Sequence, residues 1–377
     1  MLLLTIGCWL IAGAVIAEQG TAAINEVDQL GFAIGADVSF LAHAESQGAV
    51  FKDGGVAAAG LEILKDHGYN WVRLRLFHTP DHLPNDLAYT IEQARRAKSL
   101  GMKVLLDFHY SDTWADPGKQ FLPKAWRHKS HDELVAAVRE HTRLSVAAMR
   151  AADAGPDMVQ IGNEVIAGML WPDGKLPERW PQFADLFRAG VAGVHDAGGA
   201  DSPLIMMHID RGGDREATEH FFKRCHDYDI RFDVIGQSYY PWWHGGLDGL
   251  RTNLAFMAET FKKPIIVVEA AYNWRRAEYP DGDGPFPESP AGQRAFLEEV
   301  AEAVRATPGG LGRGVFWWEP AVPKGPIYSR GMFDDDGDAL PVLTVFDADR
   351  IVEESLPSKN PVARRVQPPL PADCAGQ

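Results

Sequence analysis

Cysteine is scarce in this sequence, with three in 377 residues at Cys8, Cys225 and Cys374. Positions so far apart form neither a zinc-ligand spacing nor a disulfide framework, so the fold calls for no metal and no cross-links. Positive charge is also short, since 37 Lys plus Arg face 52 Asp plus Glu for a formal net charge of -15. Such a surface repels nucleic-acid phosphates and anionic lipid, and a neutral partner fits it better. The first apolar run ends in Ala36-Asp37-Val38-Ser39-Phe40 and carries no glycine-rich phosphate turn, which argues against a doubly wound dinucleotide-binding sheet. That run also lacks the His-x-His pair of a metal-dependent hydrolase barrel. Internal repeats and low-complexity segments are absent as well.

The remaining composition is that of a globular chain, 46% hydrophobic and 24% charged, enough for one large core. Eleven tryptophans can fill that core or stack on the apolar faces of sugar rings, and the count alone leaves both open. Residues 1–17 (MLLLTIGCWLIAGAVIA) carry no charge and precede Glu18. They read as a signal peptide without a basic n-region, with Val15 and Ala17 at the cleavage positions, and imply a secreted or periplasmic protein free of the membrane after cleavage. A stop-transfer anchor is the alternative, although the run is short for a bilayer. Lipoprotein anchoring through Cys8 is weakly signalled, because Thr5 stands where an aliphatic residue is usual. The tail, 357–377, is proline-rich and expected to wrap the surface or hang loose.

Between leader and tail, residues 25–356 alternate short apolar runs with longer amphipathic segments. Eight strands are expected near 32–38, 71–76, 103–108, 158–162, 204–208, 234–238, 264–268 and 314–317. Helical three-and-four spacing falls near 56–67, 87–100, 131–154, 180–197, 215–228, 247–261 and 289–306. Strand following helix throughout implies parallel strands with crossover helices, and eight units imply closure into a single-domain (β/α)8 TIM barrel. Barrels of this type span about 250 to 400 residues, so the length requires no second domain.

In such barrels the loops after the strands form the active site. The expected strand ends carry Arg73 and Arg75, Asp107 with His109, Asn163 with Glu164, His208 with Asp210, Tyr240, Glu269, and Trp318 with Glu319. A carboxylate set directly after a buried strand is costly unless it is bonded or poised for chemistry. Glu164 and Glu269 follow strands on opposing sides of the barrel and face one another across its mouth. One can protonate a glycosidic oxygen while the other attacks the anomeric carbon, given about 5 Å between them. Asn163 would reach a sugar 2-hydroxyl, Arg75 would keep Glu269 ionised, and Tyr240 would donate to it. His109 and His208 are expected to bond to sugar or to the glutamates. Trp114, in a polar loop, is expected to face the groove rather than the core.

At these residues the sequence resembles glycoside hydrolase family 53, the arabinogalactan endo-β-1,4-galactanases of clan A. The likeness runs from Gly35-Ala36-Asp37-Val38-Ser39 to about Pro341, through Asn70-Trp71-Val72-Arg73-Leu74-Arg75, Asp107-Phe108-His109-Tyr110-Ser111-Asp112-Thr113-Trp114-Ala115-Asp116-Pro117, Gly162-Asn163-Glu164-Val165, Tyr239-Tyr240-Pro241, Val267-Val268-Glu269 and Trp318-Glu319-Pro320. The resemblance implies a retaining mechanism with Glu164 as general acid/base and Glu269 as nucleophile, a polysaccharide substrate, β-1,4-galactan, and no cofactor. A monomer is expected. Ala270-Ala271-Tyr272 and Ala321-Val322-Pro323-Lys324 depart from the family's aromatic-rich versions, which leaves subsite preference open. The run Asp334-Asp335-Asp336-Gly337-Asp338 lacks the terminal Glu of a calcium loop and reads as a solvated turn. Another clan A endo-glycosidase, a mannanase or endoglucanase, and a non-catalytic carbohydrate-binding barrel remain the alternatives.

Overall fold

The computed structural model describes residues 31–199, 202–277, 284–322 and 328–348. The segment 1–17 read as a signal peptide and the tail 357–377 lie outside them. Eight parallel strands close into a barrel: β1 (Ala33–Asp37), β2 (Trp71–Leu76), β3 (Lys103–Phe108), β4 (Met158–Ile161), β5 (Leu204–Ile209), β6 (Val234–Tyr239), β7 (Ile265–Ala270) and β8 (Gly312–Trp318). Seven helices make the crossovers, α1 (Gly60–Asp66), α2 (Leu87–Ser99), α3 (His131–Ala151), α4 (Trp180–Asp196), α5 (Arg215–Asp227), α6 (Leu247–Phe261) and α7 (Pro290–Arg305). The 3-10 helix Pro341–Phe346 packs on α7. Helix starts follow from side-chain caps: Ser130 and Glu133 form a capping box on α3, while Asp86 and Asp214 accept from the backbones of α2 and α5, which satisfies amides with no partner inside the helix.

One expected helix is corrected. The segment expected to be helical from residue 56 begins its helix only at Gly60, because Val56–Ala58 pairs antiparallel with Phe51–Asp53. The turn between them is Gly54-Gly55, at φ +55° and +81°, a left-handed path open to glycine at little steric cost.

Alternation along each strand sorts the barrel interior into layers. Ala33, Trp71, Leu105, Met158, Leu204, Val234, Ile266 and Phe316 belong to one buried apolar cluster inside the barrel. Gly35 leaves room for the Phe316 ring, since a Cβ there would stand 2.2 Å from it. Two residues further along β2, β3 and β4, and four further along β1, the lining turns polar, with Asp37, Arg73, Asp107 and Gln160 all buried. The polar layer is the floor of the site.

Candidate active site

Arg73 organises that floor. Its Nη1 donates to Asp37 Oδ2 at 3.0 Å and Glu269 Oε1 at 2.7 Å, and its Nη2 to Asp107 Oδ2 at 2.8 Å and Asn163 Oδ1 at 2.7 Å. Arg75, one step above it on β2, pairs with Glu319 and lies 3.6 Å from Asp37. The expectation that Arg75 serves Glu269 is therefore corrected. Arg73 lies opposite Asp37 in the strand register and reaches the barrel axis, whereas Arg75 is drawn outward to the end of β8. There its guanidinium sits 4.7 Å from the Phe40 ring and 4.3 Å from Trp114.

Glu269 reaches the interior through an irregularity in the sheet. Val268 belongs to the apolar interior cluster, so strict alternation would turn Glu269 to the opposite face. Between Gln237 and Ser238 of β6, however, the pairing on β7 jumps from Val267 to Glu269. Such a bulge re-aims the side chain that follows it. Tyr240 Oη donates to Glu269 Oε2 at 3.0 Å, as expected from its place after β6. Glu164 reaches the site through left-handed backbone at φ +47° and ψ +54°, a conformation costly for a residue with a Cβ. Oxygens of Glu164 and Glu269 and a ring nitrogen of His208 all lie within 4.8 Å of one another.

The two glutamates differ in what is bonded to them. Glu164 Oε1 accepts from Ser238 Oγ at 2.6 Å, and Ser238 Oγ lies 2.8 Å from His208 Nε2. His208 Nδ1 accepts from Gln160 Nε2 at 3.0 Å and faces the backbone N–H of Glu164 at 3.4 Å, which puts the ring proton on Nε2. Burial, followed by the Arg73 charge, keeps this imidazole well below its ordinary pKa and neutral. With both nitrogens engaged, His208 supports Glu164 through Ser238 rather than bonding its carboxylate. Burial pushes both glutamates up. On Glu164 the charges of Glu269 and Asp210 push it further, well above the ordinary carboxylate range. On Glu269 the Arg73 guanidinium pulls back against burial. The proton of the pair therefore belongs to Glu164.

Asn163, beside Glu164, donates one amide proton to the Ala115 carbonyl at 2.8 Å. Asp210 is buried, with Oδ1 lacking a protein partner, and burial raises its carboxyl to about 6. His109 accepts from Ala115 N at 2.9 Å and approaches Asp107 Oδ2 at 3.1 Å. It fixes the loop after β3 and bonds neither glutamate, because Asp107 and the loop backbone take both its nitrogens, while its ring lines the cavity where a sugar would lie. Burial alone would raise Asp107, but Arg73 and then His109 outweigh it and bring its carboxyl to about 2. Trp114 and Trp318, centroids 6.1 Å apart and both half-buried, line a cavity of about 860 Å³ together with Phe40, Arg75, Tyr240 and both glutamates.

The reading from strand ends names Arg73, Asp107 and Glu319 without giving them a role, and the parts played by Gln160, Ser238 and Trp243 escaped it. Counting inward positions by twos from Trp71 and Leu105 finds Arg73 and Asp107. Gln160 and Ser238 look like ordinary strand polars until His208 and Glu164 are placed beside them. Glu319 follows the strand end at φ +51°, a turn that sequence period does not announce.

A parallel barrel with two unequal buried glutamates facing each other across its mouth defines the class of two-carboxylate barrel hydrolases. The chain matches glycosyl hydrolase family 53 over residues 33–346, and it belongs to that family. A Niallia circulans protein from the bgaB 5′ region is 42% identical over 84% of this chain and 90% of its own length. The probable arabinogalactan endo-beta-1,4-galactanase A of Aspergillus terreus is 38% identical over 77% of this chain and 86% of its own. Among solved structures, the family 53 catalytic domain of Ignisphaera aggregans matches at 35% identity with a TM-score of 0.78, covering 84% of this chain and 96% of that one.

Proposed function

We propose that this chain is a retaining endo-β-1,4-galactanase acting on galactan and arabinogalactan side chains of pectin, with Glu164 as general acid/base and Glu269 as nucleophile. The single observation that carries the mechanism is the inequality of two glutamates whose oxygens lie within 4.8 Å of each other. That spacing suits a direct attack and leaves no room for the intervening water that inversion needs. In the first step Glu164 gives its proton to the glycosidic oxygen while Glu269, held ionised by Arg73 and Tyr240, bonds to the anomeric carbon. Once the leaving chain departs, Glu164 is a carboxylate and takes a proton from water, which attacks the same carbon from the opposite face and releases Glu269. The second amide proton of Asn163 meets the 2-hydroxyl and strengthens its bond as positive charge develops on the ring.

The galactan assignment draws on relatives bearing that activity in their names, and export draws on the uncharged apolar segment 1–17. Among the described residues no helix is long and apolar enough to cross a membrane. Purified galactan should be cut internally to short oligosaccharides, with little action on mannan or cellulose. Equal or faster hydrolysis of mannan would overturn the substrate assignment.

A further inference from the structure

Behind Glu164 lies a row of polar side chains whose hydrogen bonds can be followed one by one. Gln160 on β4, His208 on β5 and Ser238 on β6 sit on neighbouring strands of the barrel, and all three are fully buried. Groups so far from bulk water must satisfy one another, so the position of each proton constrains the next.

The direction of the row is set at the His208 ring. One Gln160 amide proton goes to Asp107 Oδ1 at 2.6 Å, and the other faces His208 Nδ1 at 3.0 Å, with Asn163 Oδ1 and the Gly162 carbonyl both at 3.1 Å. The Glu164 backbone N–H turns to the same ring nitrogen. Asn163 Oδ1 also stands 3.1 Å from Nδ1, but it already takes Arg73 Nη2 at 2.7 Å. Two donors aimed at Nδ1 make it the acceptor, and the ring proton belongs on Nε2. That proton reaches Ser238 Oγ at 2.8 Å, which leaves the serine's own proton for Glu164 Oε1 at 2.6 Å.

An oxygen that accepts the Ser238 proton is a poor place for a second one, so the acid proton of Glu164 belongs on Oε2. The opposite ring tautomer would undo this. With the ring proton on Nδ1, Nε2 would draw the Ser238 proton, the serine would offer Glu164 only lone pairs, and Glu164 would aim its own proton at Oγ instead of at a glycosidic oxygen. We propose that Ser238 is a positioning residue for the acid/base: its hydroxyl, turned by the Nε2–H of His208, holds the Glu164 proton on Oε2 and keeps it available to the leaving oxygen. The same bond serves both halves of the reaction. When Glu164 has become a carboxylate the hydroxyl still donates to Oε1, now to a charged acceptor and more strongly, so nothing in the row turns over between the two steps. This rests on the galactanase reading and on Glu164 as the acid/base.

The test compares two leaving groups on variants that lose or keep the hydroxyl. In Ser238→Ala, kcat/KM on galactan should fall about tenfold, the scale of one hydrogen bond to a charged group. On a dinitrophenyl β-galactobioside, whose leaving group needs little protonation, it should change less than about twofold. The alkaline limb of the galactan profile should move to higher pH, because the carboxylate has lost a donor. The other groups acting on Glu164, namely Glu269 of β7, Asp210 after β5, Asp116 after β3, Tyr240 after β6 and the neutral His208, are left in place. Ser238→Thr should bring both the rate and the limb back toward wild type. Equal loss on the two substrates, or an unmoved alkaline limb, would reduce Ser238 to a packing role and overturn the proposal. A second measurement needs no variant: nitrogen-15 spectra of the histidine-labelled wild-type enzyme should show the His208 ring protonated at Nε2 and bare at Nδ1 across the pH range of activity, and a ring protonated at Nδ1 would overturn the proposal too. Wild-type enzyme inactive on galactan but active on another β-glycan would overturn the substrate reading alone, and the same comparison would then be run on that glycan.

Discussion

Arg73 is the side chain that ties Glu269 to the polar floor of the barrel. It bonds Asp37, Asp107, Glu269 and Asn163 at 1% exposure. Arg73→Ala would leave Asp107 and Glu269 buried without their arginine and Asp37 with Arg75 alone, a loss on the order of 3–5 kcal/mol for a broken buried ion pair. Thermal unfolding should show a large drop. In whatever folds, Glu269 loses the cation that opposes the effect of burial, so its pKa rises and the acidic limb of the kcat/KM profile moves to higher pH. A variant with unchanged unfolding temperature and an unmoved acidic limb would remove Arg73 from this role. Much of this was legible in the sequence, since Glu164, Glu269, Asn163 and Tyr240 all follow expected strands. The choice between Arg73 and Arg75 was not, because both face inward by alternation, and only the third dimension shows that Glu319 and the two rings claim Arg75.

Strand alternation accounts for most of the barrel, and its failures occur where backbone geometry departs from the period. The bulge at Val267–Glu269 and the left-handed Glu164 both deliver catalytic candidates, and neither leaves a hydropathy signal. The hairpin at 51–58 was missed for a related reason: Val56-Ala57-Ala58 matches helical spacing equally well, and only the pairing with Phe51–Asp53 decides. Closure of the barrel between β1 and β8 makes a firmer demand on sequence. Gly35 is paired with Phe316 in the register, and any Cβ at 35 collides with that ring. Gly35→Ala should cost about 1–3 kcal/mol through overpacking, read in denaturant unfolding. Adding Phe316→Leu to it should recover part of the loss. If the double variant is no better than the sum of the two single losses, the contact is not what limits closure.

For the molecule as a whole, burying an excess of acid over base ties stability to pH. Asp37, Asp107, Glu164, Glu269 and Glu319 are all buried around Arg73 and Arg75. Burial raises Glu319 from 4.5 to about 8 even though Arg75 opposes it. Its stabilising contribution is thus complete below about 4.5, where both states hold the proton, and is lost as pH rises through about 8. Asp107, brought down from 3.8 to about 2, works in the other direction, contributing above 3.8 and losing that contribution as pH falls toward 2. The unfolding temperature should therefore peak on the acid side of neutrality and fall between about pH 5 and 8. Glu319→Gln should flatten that alkaline fall and leave the acid limb in place. An unaltered alkaline fall would show that Glu319 does not set it. The central claim is the division of labour between the two glutamates, and the most direct measurement of it is peptide mass spectrometry after reaction with a 2-deoxy-2-fluoro-β-galactobioside bearing an activated leaving group. This substrate slows release of the covalent intermediate more than its formation. The sugar should be found on Glu269; a label on Glu164, or no covalent adduct together with an inverted anomer among the galactan products, would contradict the account.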